Sequence, residues 1–125
     1  PDRTIAPRPQ ADVQQAFEVL LCGFEESKGQ AIDQRWLWLE AAHVMGQSGL
    51  AMHWRAHAWM LRFSFQLRDW PETAGQFLRL ALVPLGHGLG RLPPGNTGRS
   101  HVSALRPMEV STPVADLITA ALEQQ

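Results

Sequence analysis

Three of the five histidines, His43, His53 and His57, fall in one short stretch of the chain, and Glu40 precedes the first of them by three residues. Spacings of three and four put side chains on one face of a helix. Glu40 with His43, and His53 with His57, therefore form two pairs of ligand-type groups, each aimed one way. A break near residues 46–48 separates the pairs. If antiparallel helices flank it, the rise of 1.5 Å per residue sets His43 and His53 about 2 Å apart in height. Glu40 and His57 lie further along, about 11 and 14 Å from the turn. Run from a turn near Gly29, the same count puts Glu18 roughly opposite Glu40.

Five groups could thus converge: Glu18, Glu40, His43, His53 and His57. Three imidazoles with one or two carboxylates suit a divalent transition metal, namely Zn(II), Fe(II), Mn(II), Ni(II) or Cu(II). The Glu-x-x-His motif also belongs to the carboxylate-bridged di-iron pattern, but that pattern needs two such motifs and four carboxylates. A single ion or an asymmetric pair fits better. An enzyme built here would use the metal to activate water or polarise an oxygen, with Glu40 or Glu18 as acid or base. Two other arrangements use the same residues without metal. One is a hydrogen-bonded network of buried histidines around Glu40. The other is acid–base catalysis by His57 or His43 with Glu40 or Glu18.

The elements that must position these groups are helices. Val13, Ala16, Phe17, Leu20, Leu21 and Phe24 recur at helical steps and predict a first helix from Asp12 to about Lys28, stopped by Gly29. A second is expected over Ile32–Met45, ended by Gly46, and a third from a Ser48 cap to about Arg68. Pro71 suits the first turn of a fourth helix, which Pro84 should kink or end. Residues 84–112 hold nine glycines and prolines, and read as a long irregular loop. A short helix follows from Pro113 to about Leu122. No stretch alternates with period two. The expected fold is all-α, one domain over residues 1–125: antiparallel helical hairpins, tetratricopeptide-like or a four-helix bundle, after an irregular lead-in at 1–10.

Composition narrows the function. The 125 residues are 45% hydrophobic and 18% charged, with a net charge of −1. That is a globular balance, and it lacks the basic surplus that binding nucleic acid requires. Cys22 is the only cysteine, which excludes a disulfide framework and a thiolate zinc cluster. It is expected in the core. No apolar run approaches the ~20 residues of a membrane span, and Pro1–Gln10 has no signal-like apolar segment. A cytoplasmic protein without membrane contact is expected. Four of the five tryptophans (Trp36, Trp38, Trp54, Trp59) share the histidine stretch and could wall and dry a site. The aromatic surplus also leaves room for an apolar surface that could make a homodimer.

The other signals are weaker. Gly86-His87-Gly88-Leu89-Gly90 lacks the preceding strand and following lysine of a phosphate loop. His87 and His101 could be extra ligands from the loop, although they are expected to face solvent, and Arg55, Arg62, Arg68 and Arg79 are expected to be solvated or paired on helix backs. Gly95-Asn96-Thr97-Gly98 has tight-turn chemistry and could close over a site as a lid.

Several of these pieces together resemble the domain-of-unknown-function family numbered 3703, small bacterial proteins. The residues are Ala41-Ala42-His43-Val44-Met45-Gly46-Gln47, His53 and His57 with Met60-Leu61, Gly95-Asn96-Thr97-Gly98, Val102-Ser103-Ala104 and Arg106-Pro107-Met108. The resemblance covers about residues 11–110. It implies a shared site of Glu18, Glu40, His43, His53 and His57, with the Gly95–Gly98 loop. His101 departs from the family pattern, and the second helix is unusually rich in tryptophan. No activity is implied. The sequence therefore carries three readings: a helical metal-binding protein, which could be a metal-dependent enzyme; a metal-free small-molecule enzyme or binder with a tryptophan-lined pocket; and a helical interaction module. A metal ion or small molecule is the expected partner.

Overall fold

The computed structural model describes residues 10–89, 96–101 and 108–124. Five helices account for most of them: α1 (Gln10–Glu26), α2 (Ile32–Gly46), α3 (Leu50–Gln66), α4 (Trp70–Leu89) and α5 (Thr112–Glu123). Among the described residues there is no strand, so the fold is all-α as expected.

The order of packing follows the chain. α1 pairs with α2, α2 with α3, and α3 with α4, while α5 folds back onto α1 and α2. This is the neighbour-to-neighbour packing of helical hairpins, with α2 central and α4 at the edge. The periodic residues of α1 do what their spacing requires: Ala16, Phe17, Leu20, Leu21 and Phe24 are all buried. Trp36 and Leu39 of α2, Met52, Ala56, Met60 and Phe63 of α3, and Val114 and Ala121 of α5 complete the core. Phe63 meets Phe24 and Trp36 with ring centroids 5.0 and 4.8 Å away. Gly23 lets α1 and α2 come close, because a Cβ there would lie 2.2 Å from the Trp38 ring. α2 has apolar side chains nearly all round because helices press on it from three sides.

Several boundaries differ from expectation. α3 is capped by Gly49, with no side-chain cap from Ser48. α4 continues through Pro84 to Leu89, so positions 84–89 of the expected irregular segment are helical. The missing N–H of Pro84 is tolerable there because the residue is on the exposed side of the helix. α1 already starts at Gln10, and the rest of the expected lead-in lies outside the described residues. Cys22 is exposed rather than in the core, and Arg79 is buried rather than on a helix back.

α4 is turned against the usual pattern. Its buried side chains are Glu72, Thr73, Gln76, Arg79 and Val83, four of them polar. Trp70, Phe77, Leu78, Leu82 and Leu85 face outward. The polar inner face of this helix is what positions the site.

Candidate metal centre

α2 and α3 deliver three imidazoles to one point. One ligand nitrogen from each of His43, His53 and His57 lies within 4.8 Å of the other two, and all three side chains are buried. Nε2 of His43 is 3.0 Å from Nε2 of His53 and 3.1 Å from Nε2 of His57. The near-equal distances of His43 and His53 from the α2–α3 turn produce this meeting, and His57 joins from one turn further along.

The other ring nitrogens fix the tautomers. Nδ1 of His43 lies 2.7 Å from the carbonyl oxygen of Asn96, which can only accept, so Nδ1 carries the proton. Nδ1 of His57 lies 2.7 Å from Oε1 of Gln76. The Gln76 amide is oriented by its own donor, Nε2, which reaches Gly98 O at 2.8 Å and Glu72 Oε1 at 3.4 Å. His57 therefore also donates from Nδ1. In the neutral rings, Nε2 of His43 and Nε2 of His57 are both bare lone pairs, facing each other across 3.1 Å. Nδ1 of His53 faces Nε2 of His87 at 3.1 Å.

Burial opposes relief by protonation. Desolvation first, and the neighbouring imidazoles second, push His43 well below the usual histidine range. The same causes, with His87 contributing, bring His53 to about 3. His57 is brought to about 4 by desolvation, against the opposing bond from Gln76.

A strap formed by residues 96–100 covers His43. Gly98 has φ of +82°, and a Cβ there would lie 2.7 Å from Cδ2 of His43, so backbone conformation and close approach both demand glycine. Oδ1 of Asn96 accepts from Gly98 N at 2.9 Å, the local turn bond that the Asn-Thr-Gly sequence anticipates. Glu72 of α4 holds the strap down. Its carboxylate accepts from Arg99 Nε at 2.5 Å, from Ser100 N at 2.9 Å and from the Ser100 hydroxyl. Arg99 also pairs with Glu40 at 3.5 Å, and its guanidinium carbon sits 3.7 Å from the centre of the Trp36 ring. Burial raises the Glu40 carboxyl above its ordinary range, and Arg99 opposes that rise.

Of the five groups expected to converge, the structure brings together the three histidines. Glu40 is turned to Arg99, and Glu18 is held on an exposed surface by both guanidinium nitrogens of Arg55. Neither carboxylate belongs to the histidine cluster. Of the expected lid, Asn96, Thr97 and Gly98 lie at the site, and Gly95 lies outside the described residues. His87, expected to face solvent, packs against His53, while His101 is exposed. Of the four clustered tryptophans, Trp36 meets the strap through Arg99, and Trp54 is 45% exposed.

Glu72, Gln76, Arg99 and Ser100 are the residues that sequence reasoning missed. For Glu72 and Gln76 the signal was their spacing with Arg79, four and three residues, on a helix with no other charge between Trp70 and Leu85. That spacing makes a polar stripe.

A family model described as a protein of unknown function, DUF3703, matches residues 11–118. The chain belongs to this family. No curated protein and no solved structure is similar to it. The match includes α1 to α4, the strap and the start of α5, so the histidine cluster and everything that fixes its tautomers fall inside the family's span.

Proposed function

We propose that this DUF3703 protein binds a single divalent transition metal ion through Nε2 of His43, His53 and His57. The observation that carries the reading is the pair of lone pairs on His43 and His57, 3.1 Å apart, in rings whose only protons are committed elsewhere. Two buried acceptors in contact repel, and a cation between them converts the repulsion into coordination. A metal-free network leaves this pair unsatisfied even if His53 donates from Nε2, because a donor to His43 does nothing for His57. Tetrahedral bonds of 2.0–2.1 Å put ligand nitrogens about 3.3–3.4 Å apart, close to the 3.0 and 3.1 Å observed.

The surroundings support the same reading. Metal-bound histidines donate their other N–H to a fixed acceptor. The Asn96 carbonyl serves His43 and Gln76 serves His57. A proton on His53 Nδ1, donated to His87, would complete the set. Neutral imidazoles suit Zn(II), Cu(II), Ni(II) or Fe(II), and disfavour the oxygen-seeking Ca(II) and Mg(II). Three neutral ligands leave the ion its full charge and one tetrahedral position for water or a small anion. An ion so held would be an effective Lewis acid.

The test is equilibrium titration of untagged, chelator-treated protein with Zn(II) and Co(II), alongside elemental analysis of the purified chain. One ion per chain is expected. His53→Ala and His57→Ala should each abolish stoichiometric binding, while Glu18→Gln leaves it unchanged. Absence of bound ion, with identical weak affinity in wild type and both histidine variants, would remove the proposal.

A further inference from the structure

The outward face of α4 carries an apolar stripe with no partner among the described residues. Trp70, Ala74, Phe77, Leu78, Ala81 and Leu85 are all exposed. At 100° per residue they fall within an arc of roughly 100°. The only charged residues in α4 before His87, Glu72 and Arg79, are buried on the opposite side. Phe65 extends the stripe at its N-terminal end, stacking edge-on against Trp70 with centroids 5.5 Å apart. Phe65, Trp70, Phe77 and Leu78 are 53–62% exposed, and Leu85 is 56% exposed. With fully buried aromatics covering 150–250 Å² each, the patch offers on the order of 700 Å² per chain. A monomer's largest apolar patch is about 300–600 Å², and a stable complex buries about 800 Å² per partner.

We propose that this face is the contact surface of a homodimer in which two α4 helices pack antiparallel about a two-fold axis between Phe77 and Leu78. The stripe itself names the partner. Its spacing is the same read from either end: four, three, one, three and four residues. Its sizes run large, small, large, then large, small, large. An antiparallel pair therefore sets Trp70 opposite Leu85, Ala74 opposite Ala81, and Phe77 opposite Leu78. The facing alanines let the backbones approach, and the large side chains close over them on both sides. A two-fold interface must be self-complementary, and this stripe meets that condition. Depletion of charge is also typical of an interface core. A lipid surface fits less well. A helix lying on a membrane carries a basic border, whereas α4 before His87 has no exposed basic side chain, and no helix among the described residues is long and apolar enough to cross a membrane. The proposal is independent of whether the histidine cluster holds an ion.

Light scattering after size exclusion and sedimentation equilibrium at micromolar concentration should report twice the 13.9 kDa of one chain. Ala74→Glu/Ala81→Glu changes two exposed helical positions and sets like charges face to face. Its far-UV circular dichroism should match wild type, and its dimer dissociation constant should rise roughly 100-fold or more. Orientation is read from cysteine pairs in a Cys22→Ser background. An equimolar mixture of Ala74→Cys and Ala81→Cys chains should cross-link on oxidation, and neither should cross-link alone. A wild-type chain that stays monomeric overturns the proposal, as does a dimer indifferent to the double glutamate variant. So does self-cross-linking of the Ala74→Cys chain, or a monomer that co-sediments with phosphatidylserine-containing vesicles.

Discussion

His57 shows how much one neighbouring side chain decides. Its Nδ1 is held by Gln76, its Nε2 faces His43, and burial keeps the ring neutral, with a pKa brought from 6.5 to about 4. His53 is brought to about 3. In the ion-free protein these shifts tie stability to pH, and the sign is fixed. Between pH 6.5 and about 4 the unfolded chain binds a proton at position 57 that the folded chain refuses, so acid favours unfolding. Stability is complete above pH 6.5 and falls as pH drops through that window, by on the order of 3 kcal/mol for His57 alone. Urea denaturation of chelator-treated protein at pH 7.5, 5.5 and 4.5 should show a midpoint that declines at each step. The decline should be smaller in His57→Gln by roughly a third, since His43 and His53 keep their own lowered values. The histidines were legible in the sequence because helical rise fixes their heights from a shared turn. The carboxylates were not. Glu18 and Glu40 stood at plausible heights, yet each met a guanidinium first, Arg55 and Arg99. Counting along an axis gives height but no azimuth, and an arginine's reach exceeds the error in register.

At the scale of elements, α4 and the strap act as one unit. Glu72 and Gln76 lie four residues apart on the inner face of α4, and between them they bind Gly98, Arg99 and Ser100. Gln76 then passes the constraint to His57 and Asn96 passes it to His43. Gly98 is a tight point of the unit, so Gly98→Ala should be costly on two counts. The left-handed backbone is strained for alanine, and the new methyl group meets the His43 ring. A loss of about 2–3 kcal/mol is expected by denaturant titration, together with weaker metal binding by calorimetry. Loss of stability without change in the ion titration would show that the strap does not position His43. The strap's turn chemistry was readable from Asn96, Thr97 and Gly98. Its docking was not, because the groups that hold it are more than twenty residues away in sequence. The polar stripe of α4 was visible too, but apolar residues are expected inside, and here the inner face of the helix is taken by the site.

For the whole molecule, an ion bound only by the folded chain adds stability by mass action. At a free ion concentration about a thousandfold above its dissociation constant, the gain is about 4 kcal/mol. For a chain of this size, that moves the melting temperature by roughly 10–15 °C. Scanning calorimetry with and without saturating Zn(II) should show the shift, and His57→Ala should lose it. An unchanged melting temperature would separate the ion from the fold. The helical architecture could be read from α1 to α3 because their apolar periodicity reports directly on burial. The place of α5 could not, since a short amphipathic helix after a long connection carries no information about which hairpin it will cover. It covers α1 and α2 and leaves α4 at the edge.

For the proposed ion, the strap over His43 would also bear on traffic. Asn96 and Gly98 lie against His43, and Glu72 holds their strap down, so an ion held by the cluster would leave more readily when those bonds part. Exchange would then run at the pace of a local opening rather than of diffusion. Under the proposed function, the ion retained would be the one the chain meets while it folds, before the cover is fastened.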